Sequence, residues 1–244
     1  MKTALILLFG ILLPSFALAE TSEEIIAKVD KNRVYITQKF SSKMTITKGK
    51  TQLLKTIEGY GKKDGLKSFM WFTNPEDRGV KYLKSGKELW IYFPDADDIM
   101  KISGHMLKQG MMGSDISYED MLETEEARKK YSSKLLKEEK FDGKDCFVVE
   151  LNALVPDASY EKQIMYVDKK IYLPLKIEMY ARGGRLIKTF TSTDIVNIGG
   201  RYIPKKTEIH DVRKKNSKTT IETINIIFDA PVSEDLFNKR NLKK

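Results

Sequence analysis

The 244-residue sequence predicts a mainly β fold of the α+β class, an unclosed antiparallel half-barrel of about ten or eleven strands with helices covering its concave face. Apolar and polar side chains alternate with a period of two over most of the chain, which indicates strands. Turn residues separate these runs at hairpin spacings. The sequence contains no linker and no fixed-period repeat, so we expect one sheet, which must curl because strand twist accumulates.

The first nineteen residues have the layout of a secretory signal. Lys2 precedes an uncharged apolar run over residues 4–13, and Ala17 and Ala19 form a small-x-small cleavage site. The run is shorter than the roughly 20 residues that a membrane-spanning helix needs. Glu20, and not cysteine, follows the site, so the chain does not resemble a lipoprotein itself. We expect a signal peptide over residues 1–19 and a single exported domain over residues 20–244.

Short helices are expected at three places around the strands. Thr21 and Glu24 form a capping box for a helix that should end near Asn32. Residues 117–120 (SYED) predict the cap of a second helix running to about Lys130. Ser233 predicts the cap of a short terminal helix whose apolar side chains are buried, namely Leu236 and Phe237.

Composition and charge exclude several classes of protein. A content of 41% hydrophobic and 32% charged residues excludes a disordered chain and a multi-span membrane protein. The net charge of +9 suggests nucleic-acid binding, but the basic residues are scattered and the sequence shows no motif of a nucleic-acid-binding module. The excess therefore indicates a solvated surface or attraction to anionic lipid head groups.

The chain lacks the residue patterns of catalysis and of metal binding. His105 and His210 have no second ligand at metal spacing, and Ser114 lacks the second glycine of a nucleophile elbow. Cys146, the one cysteine, lies in a strand-like run, where a buried, inert thiol is expected. We expect no enzymatic activity, no metal and no cofactor.

A methionine-rich segment interrupts the strand pattern. Five of the ten methionines fall between residues 100 and 121, among glycine, lysine and glutamine. Methionine is flexible and polarisable and adapts to ligands of variable shape. The segment could plug the open mouth of the sheet as core, or form a movable cover over a cavity for alkyl chains; the pattern leaves both readings open.

Four short segments resemble one family of exported proteins. They are residues 74–79 (NPEDRG), 88–94 (ELWIYFP), 112–120 (MGSDISYED) and 200–204 (GRYIP). Together with the signal peptide, their order resembles the LolA-like periplasmic proteins, in particular the outer-membrane lipoprotein-sorting branch. The 112–120 segment is the most specific of them.

This resemblance implies an unclosed barrel, helical lid segments and a concavity that holds acyl chains. Phe69 and Trp71 match aromatic positions on a cavity-lining strand, and residues 111–116 fall where the family has a lid. The family's cavity arginine has no basic match here, because its place lies near Gly65. Arg78 could substitute for it, or could pair with Glu76 or Asp77.

The resemblance thus predicts a periplasmic, non-enzymatic, monomeric carrier that binds acyl chains of lipoproteins or lipids and passes them towards the outer membrane. An inner-membrane transporter and an anionic membrane surface are the expected partners. A sensor or adaptor acting on a membrane-anchored partner, and a lipid-delivery accessory of an efflux-type exporter, are the alternatives. The predicted cavity and lid residues are Phe69, Trp71, Leu89, Ile91, Phe93, Met106, Met111, Met112 and Ile116.

Overall fold

The structure is a computed structural model that describes residues 20–32, 34–63, 65–122, 129–156 and 158–244. The signal peptide predicted over residues 1–19 lies outside these ranges. None of the described helices combines the length and the apolar character that a membrane span requires.

Within the described ranges, two α-helices, thirteen strands and six 3-10 helices follow one another along the chain. The α-helices are α1 (Ser22–Lys31) and α2 (Tyr118–Met121). The strands are β1 (Thr37–Lys48), β2 (Thr51–Lys62), β3 (Lys67–Phe72), β4 (Lys81–Ser85), β5 (Glu88–Phe93), β6 (Asp98–Ile102), β7 (Tyr131–Phe141), β8 (Lys144–Ala153), β9 (Lys162–Asp168), β10 (Pro174–Tyr180), β11 (Leu186–Ile198), β12 (Arg201–Asp211) and β13 (Ser217–Phe228). The 3-10 helices are Pro75–Asp77, Pro94–Ala96, Gly104–Lys108, Met111–Gly113, Glu234–Phe237 and Lys239–Lys243.

The described strands form one unclosed antiparallel sheet of thirteen strands, in the order β6-β5-β4-β3-β2-β1-β13-β12-β11-β10-β9-β8-β7. The predicted fold class is confirmed, but the expected number of ten or eleven strands is wrong. Strands β4 and β6 have only five residues each. Tight turns join strands this short to their neighbours, so the sequence pattern merges adjacent strands.

The pairing of β1 with β13 joins the two halves of the sheet. Their ladder runs from Gln38 opposite Phe228 to Lys48 opposite Ser217. Strands β1 to β6 extend from this seam in one direction and β13 to β7 in the other. We call these groups the first half and the second half of the sheet.

Helix α1 packs on the second half. The predicted capping box between Thr21 and Glu24 is present, and the helix ends at its C-cap Asn32, as predicted. Ile25 and Val29 are fully buried and pack in a cluster with Val149 of β8 and other side chains of the second half. Cys146, also on β8, is buried as expected, and burial raises the pKa of its thiol.

Strand alternation gives the first half two apolar faces. On β5, Leu89 and Ile91 point to one face, and Tyr92 points to the other. The second face is covered by the two C-terminal 3-10 helices, through Phe237 and Leu242. The predicted cap Ser233 and the burial of Phe237 are confirmed. Leu236 is only partly buried, and the helix is a short 3-10 helix.

Substitution of Leu242 by alanine tests this C-terminal packing. The Leu242 side chain is 0% exposed, and two residues follow it in the sequence. Leu242→Ala should lower the free energy of unfolding by about 2–4 kcal/mol, because it leaves a cavity under β4 and β5. Urea denaturation measures the loss, with Lys244→Ala as the control. Equal stability of the two variants would show that the tail is not docked.

Candidate functional site on the inner face of the first half

The inner face of the first half lies under a segment that we call the crossing segment, residues 103–122. It follows β6 and contains two 3-10 helices and α2. The sheet contributes fully buried side chains such as Met44, Ile46 and Phe72. Five partly buried methionines pack against this core, Met70 and Met100 from the sheet and Met106, Met112 and Met121 from the crossing segment.

Seven of the nine predicted site residues come together in this cluster. They are Leu89, Ile91 and Phe93 of β5 and Met106, Met111, Met112 and Ile116 of the crossing segment. The structure does not bring Phe69 and Trp71 to them. Both pack on the opposite face with Phe237 of the C-terminal 3-10 helix.

Strand β3 therefore presents Met70 and Phe72 to the crossing segment. The sequence shows that these two residues share a face and that both faces of β3 are apolar, but it does not identify the inner face. That choice depends on the C-terminal 3-10 helices, which occupy the other side. The role of Trp71 in lining a cavity stays a prediction.

A closed loop shapes the crossing segment. The Met111 N–H donates to the Ile116 carbonyl at 2.7 Å, and the Tyr118 N–H donates to the Gln109 carbonyl at 3.0 Å. A Cβ on Gly110 would lie 2.0 Å from the Ser114 carbonyl oxygen, so only glycine fits there. The loop directs its apolar side chains to the sheet.

Two tyrosines form the contact between helix α2 and the sheet. The ring centroids of Tyr82 and Tyr118 lie 6.1 Å apart, and their hydroxyls are 3.5 Å apart. Burial raises the pKa of Tyr82, so this phenol stays neutral. The two hydroxyl groups are therefore polar but uncharged groups within the apolar cluster.

Asp115 anchors the crossing segment to β13 of the second half. Its side chain is 0% exposed, and its carboxylate accepts hydrogen bonds from Ser217 at 2.8 Å and Thr219 at 3.0 Å. The Asp115 N–H donates to the Thr219 hydroxyl at 2.8 Å. Lys214 reaches both the carboxylate, at 3.5 Å, and the Ser114 carbonyl, at 2.5 Å.

Asp120 anchors the segment to β11. It forms an ion pair with Lys188, and the two side chains are 7% and 1% exposed. Asp120 also accepts hydrogen bonds from the Tyr160 hydroxyl at 2.6 Å and from the Ser117 N–H at 2.7 Å. Lys188 donates to the Ser117 hydroxyl at 3.2 Å. We call the contacts of Asp115 and Asp120 the two anchors.

The crossing segment thus covers one half of the sheet and is held by the other. Its apolar side chains lie on the first half, whereas both anchors bind the second. The cap predicted at Ser117 is confirmed, but helix α2 ends at Met121 and not near Lys130. Residues 123–128 of the predicted helix lie outside the described residues.

Sequence reasoning missed both anchors. Lys188 is the polar partner in an alternating strand, and nothing in its neighbours indicates burial. Asp115 and Asp120 lie in the 112–120 motif, which cap chemistry explains only in part. Four polar residues of the motif bury their side chains, Ser114, Asp115, Ser117 and Asp120. One helix cap does not need so many polar residues, and this excess is the available sequence signal.

The segment with residues 74–79 has a structural role. Asn74 accepts a hydrogen bond from the Thr56 N–H at 3.3 Å and donates to Asp77 at 2.6 Å. Asp77 forms an ion pair with the mostly buried Lys55, while Arg78 is exposed. These contacts fix the connection between β3 and β4. Among the described residues, no group of three or more potential ligands could hold a metal ion.

The Lys188 anchor is expected to dominate stability. Lys188→Met leaves the Asp120 carboxylate buried without its cation, so the free energy of unfolding should fall by about 3–5 kcal/mol. The matched control is Lys218→Met on β13, whose ion pair with Glu208 is solvent-exposed. That variant should lose less than about 1 kcal/mol in the same urea titration. Similar losses in the two variants would contradict a buried anchor.

The charge of Glu119 is unfavourable in the folded chain. Burial raises the pKa of Glu119, and the Asp120 carboxylate raises it further. A carboxyl group whose pKa is higher in the folded than in the unfolded chain lowers the free energy of unfolding at pH values above its folded pKa. Below its unfolded pKa this loss disappears.

Glu119→Gln should therefore raise the thermal midpoint at about pH 7.5, and the gain should shrink as the pH falls towards about 4. Thermal unfolding of both proteins across this range measures it. A gain that stays constant with pH would show that the charge is not its source.

Comparisons with known proteins agree on the fold. A family model described as "-like: Uncharacterized protein" matches residues 64–244. The structure is similar to a domain named as an outer membrane lipoprotein-sorting protein from Vibrio parahaemolyticus, at 25% identity and a TM-score of 0.81, covering 91% of this chain and 97% of that one.

Two further structures are similar. A DUF1329 family protein from Desulfovibrio piger is 26% identical, with a TM-score of 0.83 and coverage of 91% of this chain and 97% of that one. A LolA superfamily protein from Nitrosomonas europaea shares the fold at 22% identity and a TM-score of 0.76, covering 91% and 100%. Among curated proteins, none matches the sequence significantly. The resemblance to the LolA-like lipoprotein-sorting proteins is confirmed.

Proposed function

Because the chain belongs to the family whose model covers residues 64–244 and folds like a lipoprotein-sorting domain, we propose that it is a non-enzymatic periplasmic carrier of acyl chains. The observation that carries the proposal is the construction of the crossing segment. Its methionines cover an apolar sheet face, while a few polar contacts from the other half of the sheet hold it in place. It therefore has the construction of a lid.

The acyl chain takes the place of the lid side chains on the sheet. Apolar surface removed from water contributes about 25 cal/mol per Å², whether a methionine of the lid or an alkyl chain covers it. Replacing the lid side chains on the sheet by an alkyl chain therefore loses little apolar contact. The flexible side chains of Met106 and Met112 then adapt to the chain that is bound.

The anchors set how the lid opens. Lys188 and Asp120 lose a buried ion pair when the segment lifts, and both regain water. The charge of Glu119, beside Asp120, favours the open arrangement. Moderate affinity follows, which allows the cargo to be passed on.

A cleft of about 830 Å³ lies beside the lid and is a suitable opening for cargo. Lys108 of the crossing segment, Leu154 after β8 and Arg182 after β10 contribute to its wall. Its wall combines apolar side chains with two cations and Glu161, a mixture that suits the region where an acyl chain meets a polar head group.

The proposal places this carrier in a transport route. Residues 1–19 direct export and are removed, and residues 20–244 act as one lipid-binding domain and as a monomer. Cargo is received at an inner-membrane transporter and passed towards the outer membrane. Sorting of a lipoprotein or of another acylated lipid requires the same apolar site.

Two residues on one strand test the lining of the site. Met70 and Trp71 are neighbours on β3, both partly buried, and face the lid and the C-terminal tail respectively. Met70→Asn should weaken binding of a fluorescent fatty-acyl probe by about tenfold, because it places an amide in the apolar site. Trp71→Asn should leave the affinity within about twofold of the unmodified protein.

Fluorescence titration of both variants gives the answer, after circular dichroism has shown that each is folded. If only Trp71→Asn loses affinity for the probe, the binding site lies on the opposite face of the sheet. Failure of the unmodified protein to bind the probe would contradict the carrier function.

A further inference from the structure

Four exposed aliphatic side chains lie around the end of the β1–β13 seam. They are Val34, Ile36, Ile224 and Ile227, with exposed fractions of 49%, 73%, 62% and 47%. Val34 and Ile36 directly precede β1, and Ile227 pairs with Lys39 near the end of β13. None of the four belongs to the apolar clusters of the described core.

Hydrogen bonds hold these segments together as one surface. The Ile36 N–H donates to the Asp229 carboxylate at 3.1 Å, and the Arg201 Nε–H donates to the Val34 carbonyl at 2.8 Å. Arg201 also pairs with Asp229 at 3.2 Å and lies 4.6 Å from the centre of the Phe228 ring. We call this surface the seam rim.

Next to the seam rim, β12 and β13 part. Their ladder has only four residue pairs and ends at Lys206 opposite Glu222. Continued in the same register, it would place Pro204 opposite Ile224. Proline has no N–H to donate, and Ile224 is the extra residue at the bulge of β13 against β1. The ladder therefore ends, and a groove of about 210 Å³ opens between the strands.

Aliphatic side chains dominate the groove. They are Val196, Ile198, Ile203, Ile224 and Ile226. The groove continues the apolar surface of the seam rim inwards from Ile224. This arrangement gives a role to the 200–204 motif, because Arg201 joins the rim and Pro204 ends the ladder.

The charges around the rim identify its partner. Lys39 and Lys63 are exposed, and the Lys63 N–H donates to the Ile36 carbonyl at 2.9 Å. Arg201 neutralises Asp229, so the surface is cationic. Exposed aliphatic side chains bordered by lysines are typical of surfaces that bind anionic bilayers.

We propose that the seam rim docks on an anionic lipid bilayer, with Val34, Ile36 and Ile227 entering the head-group region and Lys39 and Lys63 meeting lipid phosphates. The rim lies at the end of β11 marked by Ile198, whereas the Lys188 anchor is near the start of that strand. Docking therefore leaves the lid free to move. This inference goes beyond the carrier function, and the two can fail separately.

Vesicle sedimentation tests the proposal with matched variants. The rim variant is Val34→Ser/Ile36→Ser/Ile227→Ser, and the control is Leu53→Ser/Leu54→Ser/Leu136→Ser, whose leucines are 43%, 49% and 40% exposed elsewhere. On vesicles of phosphatidylglycerol and phosphatidylcholine, the rim variant should bind at least about tenfold more weakly than the unmodified protein. The control should stay within about twofold of it. Lys39→Ser/Lys63→Ser should weaken binding to these vesicles and reduce its salt dependence.

The fluorescent acyl probe, measured without vesicles, separates this inference from the carrier function. The rim variant should bind the probe as the unmodified protein does, which also shows that the variant is folded. If the unmodified protein binds the probe but does not bind vesicles, the rim proposal is overturned and the carrier function stands. Equal loss in the rim variant and the control would also overturn it, as would retained vesicle binding in the rim variant. A rim that captures a protein and no vesicles would identify a protein interface instead.

Discussion

The buried contact between Lys188 and Asp120 is the constraint on which the site depends. An ammonium group and a carboxylate that have lost their water require one another, so this pair fixes the position of the crossing segment on the second half of the sheet. That position brings its methionines over the first half. The seam between β1 and β13 keeps the two halves in a fixed relation, so a polar contact on one half controls an apolar surface on the other.

The crossing segment combines two kinds of contact. Apolar contact is non-directional, whereas the anchors are directional and define one position of the segment. In the proposed carrier, the apolar contact adapts to chains of different shape. Glu119 lies beside the Asp120 anchor, and its charge is unfavourable in the folded chain. Under the proposed carrier function, such a segment can cover the sheet and still release a bound chain.

Local chemistry made much of the fold predictable. The Thr21 capping box and the strand alternation depend on neighbouring residues, and both are observed. The methionine segment was also recognised, because it breaks that alternation. The inner face of β3 and the burial of Lys188 depend on contacts distant in the chain, with the C-terminal 3-10 helices and with Asp120. Local patterns carry no information on such contacts. The family resemblance placed Phe69 and Trp71 with the cavity residues, but the structure puts them on the other face.

Mass spectrometry of the lipids that accompany the protein, purified from its native envelope under mild conditions, tests the carrier function most directly. An acylated molecule should accompany the protein in a ratio approaching one per chain, and it should be lost when Met70→Asn weakens the site. A protein that carries no acylated molecule, and whose lid-facing variant behaves as the unmodified protein does, would contradict it.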